Sequence, residues 1–307
     1  MDEFYDMNKA GNLLEEHVQA IETQGLSSSV AIQLANADVD TYQVLPFGQP
    51  PCWRLAIPPS DGSTEADQAI FRVQGIITDK NLPPIGRQSV ARTSHRTRPH
   101  LRQAVTITGL QTPVFTAAIE AIEKIQLAFV NAFPADMVDQ WQPSFFKDVY
   151  ALDTHSRYFT KTHLVPNQEK CPFDHATDPE GILASMQDET LIHIADNHVD
   201  YLGPISIAGE KRMGTIGPAT FRVGDIVELS ISFAAFPSAN GKVKMMAVLR
   251  SIRMIDNSCR NTASILQMRS RYRPLKPSYN LTKRKAMYSD EEVKNIERGV
   301  SKLRMEP

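Results

Sequence analysis

The chain of 307 residues is 42% apolar and 22% charged, with a net charge of −2. That is long and apolar enough for a buried core, and too ordinary to be fibrous or wholly disordered. Its three cysteines, Cys52, Cys171 and Cys259, lie too far apart for a disulfide framework, and no run of about 18 apolar residues is present to form a membrane-spanning helix.

The charge is unevenly spread. Residues 1–80 hold 12 acids against 4 bases, and residues 81–119 hold 5 arginines and no acid. Residues 120–268 hold 18 acids against 13 bases, and residues 269–307 hold 11 bases against 5 acids. Such asymmetry points to a polar partner for the two basic stretches, nucleic acid first, although solvated loops give the same pattern. The start, MDEFYDMNK, is acidic and lacks an apolar run. A secretory leader is therefore not expected, and the expected setting is nuclear or cytoplasmic.

In chain order, residues 7–24 pattern as an amphipathic helix with Leu13, Leu14, Val18 and Ile21 on one face. Residues 42–57 are extended between prolines, and Phe71, Val73 and Ile76 mark a strand. Residues 81–103 combine prolines with Arg92, Arg96 and Arg98 and read as a long exposed basic loop. Thr112-Pro113 starts a largely buried helix that Pro134 ends. A second helix is expected over 135–150, where Met137, Trp141 and Phe145 recur at helical spacing.

Residues 151–260 read as β-rich, with a short helix opened by Asp178-Pro179. The clearest pattern is 221–256, FRVGDIVELSISFAAFPSANGKVKMMAVLRSIRMID. Val227, Leu229, Ile231 and Phe233 alternate with Glu228, Ser230 and Ser232, as in a half-buried strand. Asn240-Gly241 then makes a hairpin turn into an apolar second strand. Residues 269–307 form a basic tail, in which Ser289-Asp290-Glu291-Glu292 caps a short helix. The organisation predicted is an acidic mixed region at 1–104, a buried helical segment at 105–150, a β-rich domain at 151–260 and a basic tail at 261–307. The fold class is α+β: a mixed helical N-terminal half and an antiparallel β-barrel or sandwich in the C-terminal half.

Chemistry is sparse. His155, His163, Cys171 and His175 are the densest set of metal-ligand types. Their spacing fits no standard finger, and on a shared strand His155 and His163 would stand roughly 26 Å apart. His198-Val199-Asp200 begins a facial triad but has no later histidine. Cys171 with His175 lacks a flanking nucleophile motif, and no phosphate, dinucleotide, serine-hydrolase or zincin signature is present. No cofactor and no metal are expected.

The basic residues carry the better argument. Arg157, Tyr158 and Lys161 on one strand, with Lys244, Arg250 and Arg253 on another, offer charge and a stacking ring, the pairing used by single-strand binders. A strand rimmed with cations also resists edge pairing. The tail adds Arg269, Arg271, Arg273, Lys283, Arg284 and Lys285 as a basic arm. Residues 87–102 and 269–285 are the segments in which to look for a partner.

The stretch TFRVGDIVELSISFAAFP…GKVKMMAVLRSIRMID resembles a recurring segment of uncharacterised open reading frames in mushroom-forming (basidiomycete) fungi. The resemblance spans residues 191–256 and the basic tail, and implies no catalytic residue. The same stretch is similar to OB-fold strands, where F-x-V-G-D-x-V leads into a long hairpin; that likeness implies an OB-like barrel. The leading expectation is a non-enzymatic accessory protein that binds single-stranded nucleic acid. The alternatives are a structural or protein-interaction protein of a fungal mobile element or its host, and a metal-dependent enzyme.

Overall fold

The computed structural model describes residues 1–23, 32–59, 66–86, 97–207 and 209–271, together with 291, 292, 294–296 and 298. The chain falls into two compact units, Met1–Gln267 and Met268–Pro307. In the second, residues 291, 292, 294–296 and 298 are helical, in keeping with the expected terminal helix.

The first unit opens with helix α1 (Met7–Thr23), then short strand β1 (Ile32–Gln33), hairpin β2 (Gln43–Gly48) and β3 (Pro51–Ile57), and β4 (Asp67–Gln68). Strands β5 (Phe71–Asn81) and β6 (Arg102–Thr108) precede helix α2 (Pro113–Asn131). After β7 (Val138–Asp139), β8 (Ser144–Phe146) and β9 (Val149–Arg157) come β10 (Thr160–Lys161), α3 (Ile182–Met186) and β11 (Leu191–Ile192). Strands β12 (Asp200–Ile207) and β13 (Glu210–Thr215) lead to β14 (Ile226–Pro237), β15 (Val243–Asp256) and α4 (Ser258–Arg271).

The expected hairpin is present and is the spine of the sheet. Its turn closes with Gly241 at φ +78° and the Ser238 N–H donating to the Lys242 carbonyl at 2.7 Å. Each arm is too long for one neighbour. The first half of β14 pairs with β5, from Ile226↔Ile76 to Ile231↔Phe71, and its second half pairs with β3. Strand β15 likewise meets β7, β9 and β12 in turn, all parallel. Thirteen strands join one mostly antiparallel sheet, drawn from both halves of the chain.

Within it the pairings form a circuit: β5–β6–β9–β15–β14 and back to β5. Closure is partial, because β9 and β15 share the single pair Val248↔His155. Val227, Leu229, Ile231 and Phe233 are all fully buried inside, together with Phe71, Ile107, Leu152 and Leu249. Helix α2 adds Phe115, Ile119, Ile122, Ile125 and Phe129 to the same core. It starts where expected, with Pro113 in the first turn; Thr112 accepts through its backbone carbonyl and makes no side-chain cap.

Residues 135–150 are not a helix. They form β7, β8 and the start of β9, and Phe145 pairs with Tyr150 across the β8–β9 hairpin. Prolines 134 and 143 bracket too few residues for a stable helix, and β15 and β9 supply open edges instead.

Helix α1 buries Ala10, Leu14 and Val18 in a second cluster with Tyr5, Ile226 and Cys259. The Tyr5 hydroxyl donates to the Gly224 carbonyl at 2.8 Å. Gly224 has φ +91°, and a Cβ there would lie 2.8 Å from the Tyr5 ring, so only glycine fits. Next to it Asp225 is fully buried. Its Oδ2 accepts from the Arg222 N–H at 2.8 Å, and its Oδ1 faces Arg260 Nε at 2.7 Å, at an angle that makes an ion pair but no hydrogen bond.

Burial outweighs these contacts and raises the Asp225 carboxyl from 3.8 to about 6. An acid shifted upward binds its proton more tightly in the folded state. Its stabilising contribution is full below the unfolded value and fades as pH climbs through the folded one. From about pH 4 to about pH 6, the wild type should therefore lose on the order of 3 kcal/mol relative to Asp225→Asn, which has no proton to lose. Urea unfolding of both proteins across that range tests this; a constant difference between them would refute it.

Candidate functional site

The outward residues of the hairpin divide into two groups. One group is neutralised inside the protein. Arg250 projects from β15 over β14, where its Nε donates to Ser232 Oγ at 3.0 Å and its Nη2 to Gln68 Oε1 at 3.2 Å. Its Nη1 lies 3.0 Å from Asp196 Oδ1 and donates to the Asp196 carbonyl at 2.8 Å. Arg54 of β3 reaches the other Asp196 oxygen at 2.8 Å. Arg253 pairs with Glu228 at 2.9 Å, and Gln74 Nε2 donates to the second Glu228 oxygen at 2.7 Å. The face expected to meet solvent is thus covered: Glu228 and Ser232 are buried.

The second group lines a groove of about 360 Å³ on the outer wall of β9 and β15. Pro99 and His100 stand at one rim, just before β6; Phe236 and Pro237 stand at the other, where β14 enters the hairpin turn. Met246, Val248, Phe159 and Leu164 line its apolar part. A smaller hollow of about 160 Å³ shares His100, His155, Arg157 and Met246 with it and adds Arg102.

Register explains why these side chains converge. The β6–β9 ladder pairs Arg102 with Arg157 and Ala104 with His155, and β15 then sets Val248 against His155. Even spacing along each strand sends Arg157 and His155 to one face. Across the hairpin, Lys244 pairs with Phe236. The Arg157 guanidinium lies 5.9 Å from the Phe236 ring centre, within cation–π range.

Arg102, Arg157, Lys161 and Lys244 are exposed, and none has a carboxylate within ion-pair distance among the described residues. Burial, with the Arg102 and Arg157 cations beside it, pushes His155 down to about 4. It is neutral near pH 7, so the positive charge of the groove comes from Arg and Lys.

The sequence-predicted residues therefore separate. Arg157 and Lys161 come together at the groove, with Lys244 further along β15 opposite Phe236; Arg250 and Arg253 are bound in internal ion pairs. Tyr158 is not an exposed stacking ring. Residues between β9 and β12 fold back over it, and it is buried with Phe159, Leu183, Met186 and Leu191, edge-on to Phe173. Arg98 is half-buried in a turn beside Pro99. Arg269 and Arg271 occupy the last turn of α4. Arg92, Arg96, Arg273, Lys283, Arg284 and Lys285 lie outside the described residues.

His155 belongs to the groove wall, His163 sits in a turn, and Cys171 and His175 lie in irregular chain. Among the described residues no three His, Cys, Asp or Glu side chains are grouped to hold a metal. Sequence reasoning missed Arg102, His100 and Phe236. The first two end the basic run that was singled out, and Phe236 follows the alternating strand, but only strand register shows that they meet.

No protein-family model matches the sequence, and no curated protein matches it. Among solved structures, the chain is similar to gp2.5, a single-stranded DNA-binding protein encoded by bacteriophage T7. Identity is 12% and the TM-score 0.30, covering 62% of this chain and 94% of that one. It is also similar to a single-stranded DNA-binding protein from bacteriophage Enc34, at 12% identity and a TM-score of 0.25, covering 70% and 97%. Both scores lie below the level at which two chains share a fold.

The two groups of cations should respond differently to truncation. Arg250→Ala removes one of the two cations on partly buried Asp196 and the donors to Ser232 and Gln68, and should cost about 1–3 kcal/mol. Arg157→Ala removes an exposed, unpaired cation and should change stability by less than about 0.5 kcal/mol. Chemical denaturation of the two variants decides this, and equal losses would contradict the division.

Proposed function

We propose that this protein binds single-stranded nucleic acid along the groove of β9 and β15 and acts without catalysis. The observation that carries the reading is the composition of the groove. Arg157 and Lys161 line an apolar trough with an aromatic ring at its edge, Arg102 lines the hollow beside it, and Lys244 lies on the β15 face that Met246 and Val248 share; none of the four has a carboxylate partner among the described residues. Single-strand binders combine a basic track for phosphates with rings on which bases stack.

The position of the groove supports the same reading. Taking β5, β6, β9, β14 and β15 as strands one to five, the pairing circuit runs 1-2-3-5-4-1, the order of an OB barrel. That barrel binds oligonucleotides on its second and third strands, between the loop joining strands one and two and the loop joining four and five. Here His100 and Arg102 stand where the first of those connections ends, and Phe236 and Pro237 where the second begins.

Binding should weaken steeply with salt, because each phosphate contact releases counterions. In fluorescence anisotropy with single-stranded DNA, removing Arg102 and Arg157 together should flatten the slope of log affinity against log salt by about 1.4, from roughly 0.7 per contact. Arg212→Ala, an exposed β13 cation that lines neither hollow, serves as the control. Undetectable binding by the wild type, or an unchanged slope in the double variant, would defeat the proposal.

A further inference from the structure

The groove contains a hydrogen-bond donor that the fold leaves unused. Asn197 closes the turn Ala195–Asn197 and is only 6% exposed, yet it lines the groove. Its Oδ1 accepts from Thr160 Oγ1 at 3.1 Å and from the Ile194 N–H at 3.1 Å. Two donors on one atom fix which end of the carboxamide is oxygen. Its backbone carbonyl is held as well, accepting from Gln103 Nε2 at 3.0 Å and Ser156 Oγ at 3.3 Å. Asn197 Nδ2 has no partner among the described residues.

The residue as a whole is nearly buried while Nδ2 itself stays open to the groove, so the donor is available to a ligand there. It is also rigid: Asp196, the preceding residue, is clamped by Arg54 and Arg250. The surroundings suit a flat, partly apolar ligand. Phe159, Leu164, Met246 and Val248 supply apolar contact, while Arg157 and Lys161 add cations.

Resting on the single-strand reading of the groove, we infer that this pocket takes one unstacked nucleobase. Asn197 Nδ2 donates to a carbonyl or ring-nitrogen acceptor of the base, and Arg157 and Lys161 hold the phosphates beside it. Duplex nucleic acid is disfavoured, because a base held in a paired stack cannot swing out into the pocket without unpairing.

The test uses the full chain and three single strands of equal length and charge. One carries thymine, one carries difluorotoluene, the apolar isostere of thymine, and one is abasic. Thymine should bind about tenfold tighter than the abasic strand, with the isostere between them. Asn197→Asp keeps the oxygen used by Thr160 and Ile194 and removes the donor, so the preference for thymine over its isostere should vanish. Val248→Trp fills the pocket from β15 and should remove the preference for any base over the abasic strand. Equal, salt-dependent affinity of the wild type for all three strands would overturn the base pocket and leave the groove as a phosphate track. Binding to none of them would overturn the single-strand reading itself.

Discussion

One carboxylate, Asp196, held between two guanidinium groups, fixes the relation between the chain joining β9 to β12 and the sheet. Arg54 reaches it from β3 and Arg250 from β15, and Gln68 of β4 touches both arginines. The net energy of such a partly buried triad is small, because desolvation consumes most of the Coulomb attraction. Its geometric consequence is large. Three segments distant in sequence meet at one point, and the turn Ala195–Asn197 that carries Asp196 is tied to the sheet there. Asn197 then extends the tie to β6 through Gln103 and to β9 through Ser156. Tyr201 completes it, donating to Gln103 Oε1 at 2.7 Å. The floor of the groove is built on this network, so its shape is set by polar contacts as much as by the apolar core.

Local signals in the sequence identify the elements that make their own pattern. The period of two in Val227, Leu229, Ile231 and Phe233, and the Asn240-Gly241 turn, are enough to define the hairpin, because strand alternation and turn chemistry are short-range properties. The same is true of α2, whose apolar content and Thr112-Pro113 start need no partner to be read. What fails is inference about the other side of a strand. Glu228, Ser230 and Ser232 look like a solvated face. Glu228 and Ser232 are buried because Gln74 of β5, 154 residues from Glu228, and Arg250 of the facing arm, 18 residues from Ser232, cover them, and neither contact follows from the alternation of β14 alone. The misreading of 135–150 has a similar origin: Met137, Trp141 and Phe145 keep helical spacing, but the edges of β15 and β9 offer hydrogen bonds that outweigh propensity.

The candidate site was legible in chemistry and illegible in geometry. Cations at even spacing on two strands gave the right class of residue, yet Arg157 and Arg250, similar in sequence setting, have opposite fates. One faces the groove and the other meets Asp196, and only the β9–β15 register separates them. Tyr158 shows the same limit. Alternation expects it on a strand running on from Arg157, whereas β9 ends at Arg157 and the fold-back of 158–194 converts an expected platform into a small core with Phe159 and Phe173.

The division of cations also explains how a chain with a slightly negative net charge can carry a positive groove. Carboxylates are not scarce; they are placed against Arg54, Arg250, Arg253 and Arg260, where they serve the fold. Even Asp153, which borders the groove strands, is occupied by hydrogen bonds from Thr106 and Ser144 and has no cation within ion-pair distance among the described residues. What remains beside His155 is an excess of one sign over a low-dielectric wall, the arrangement that focuses a field rather than dispersing it. The downward shift of the His155 pKa responds to that same field, because burial and the two neighbouring arginines act in one direction. With the His155 imidazole already neutral, that residue adds no charge to Arg157 and Lys161, and the attraction these cations exert on an anion is set by ionic strength.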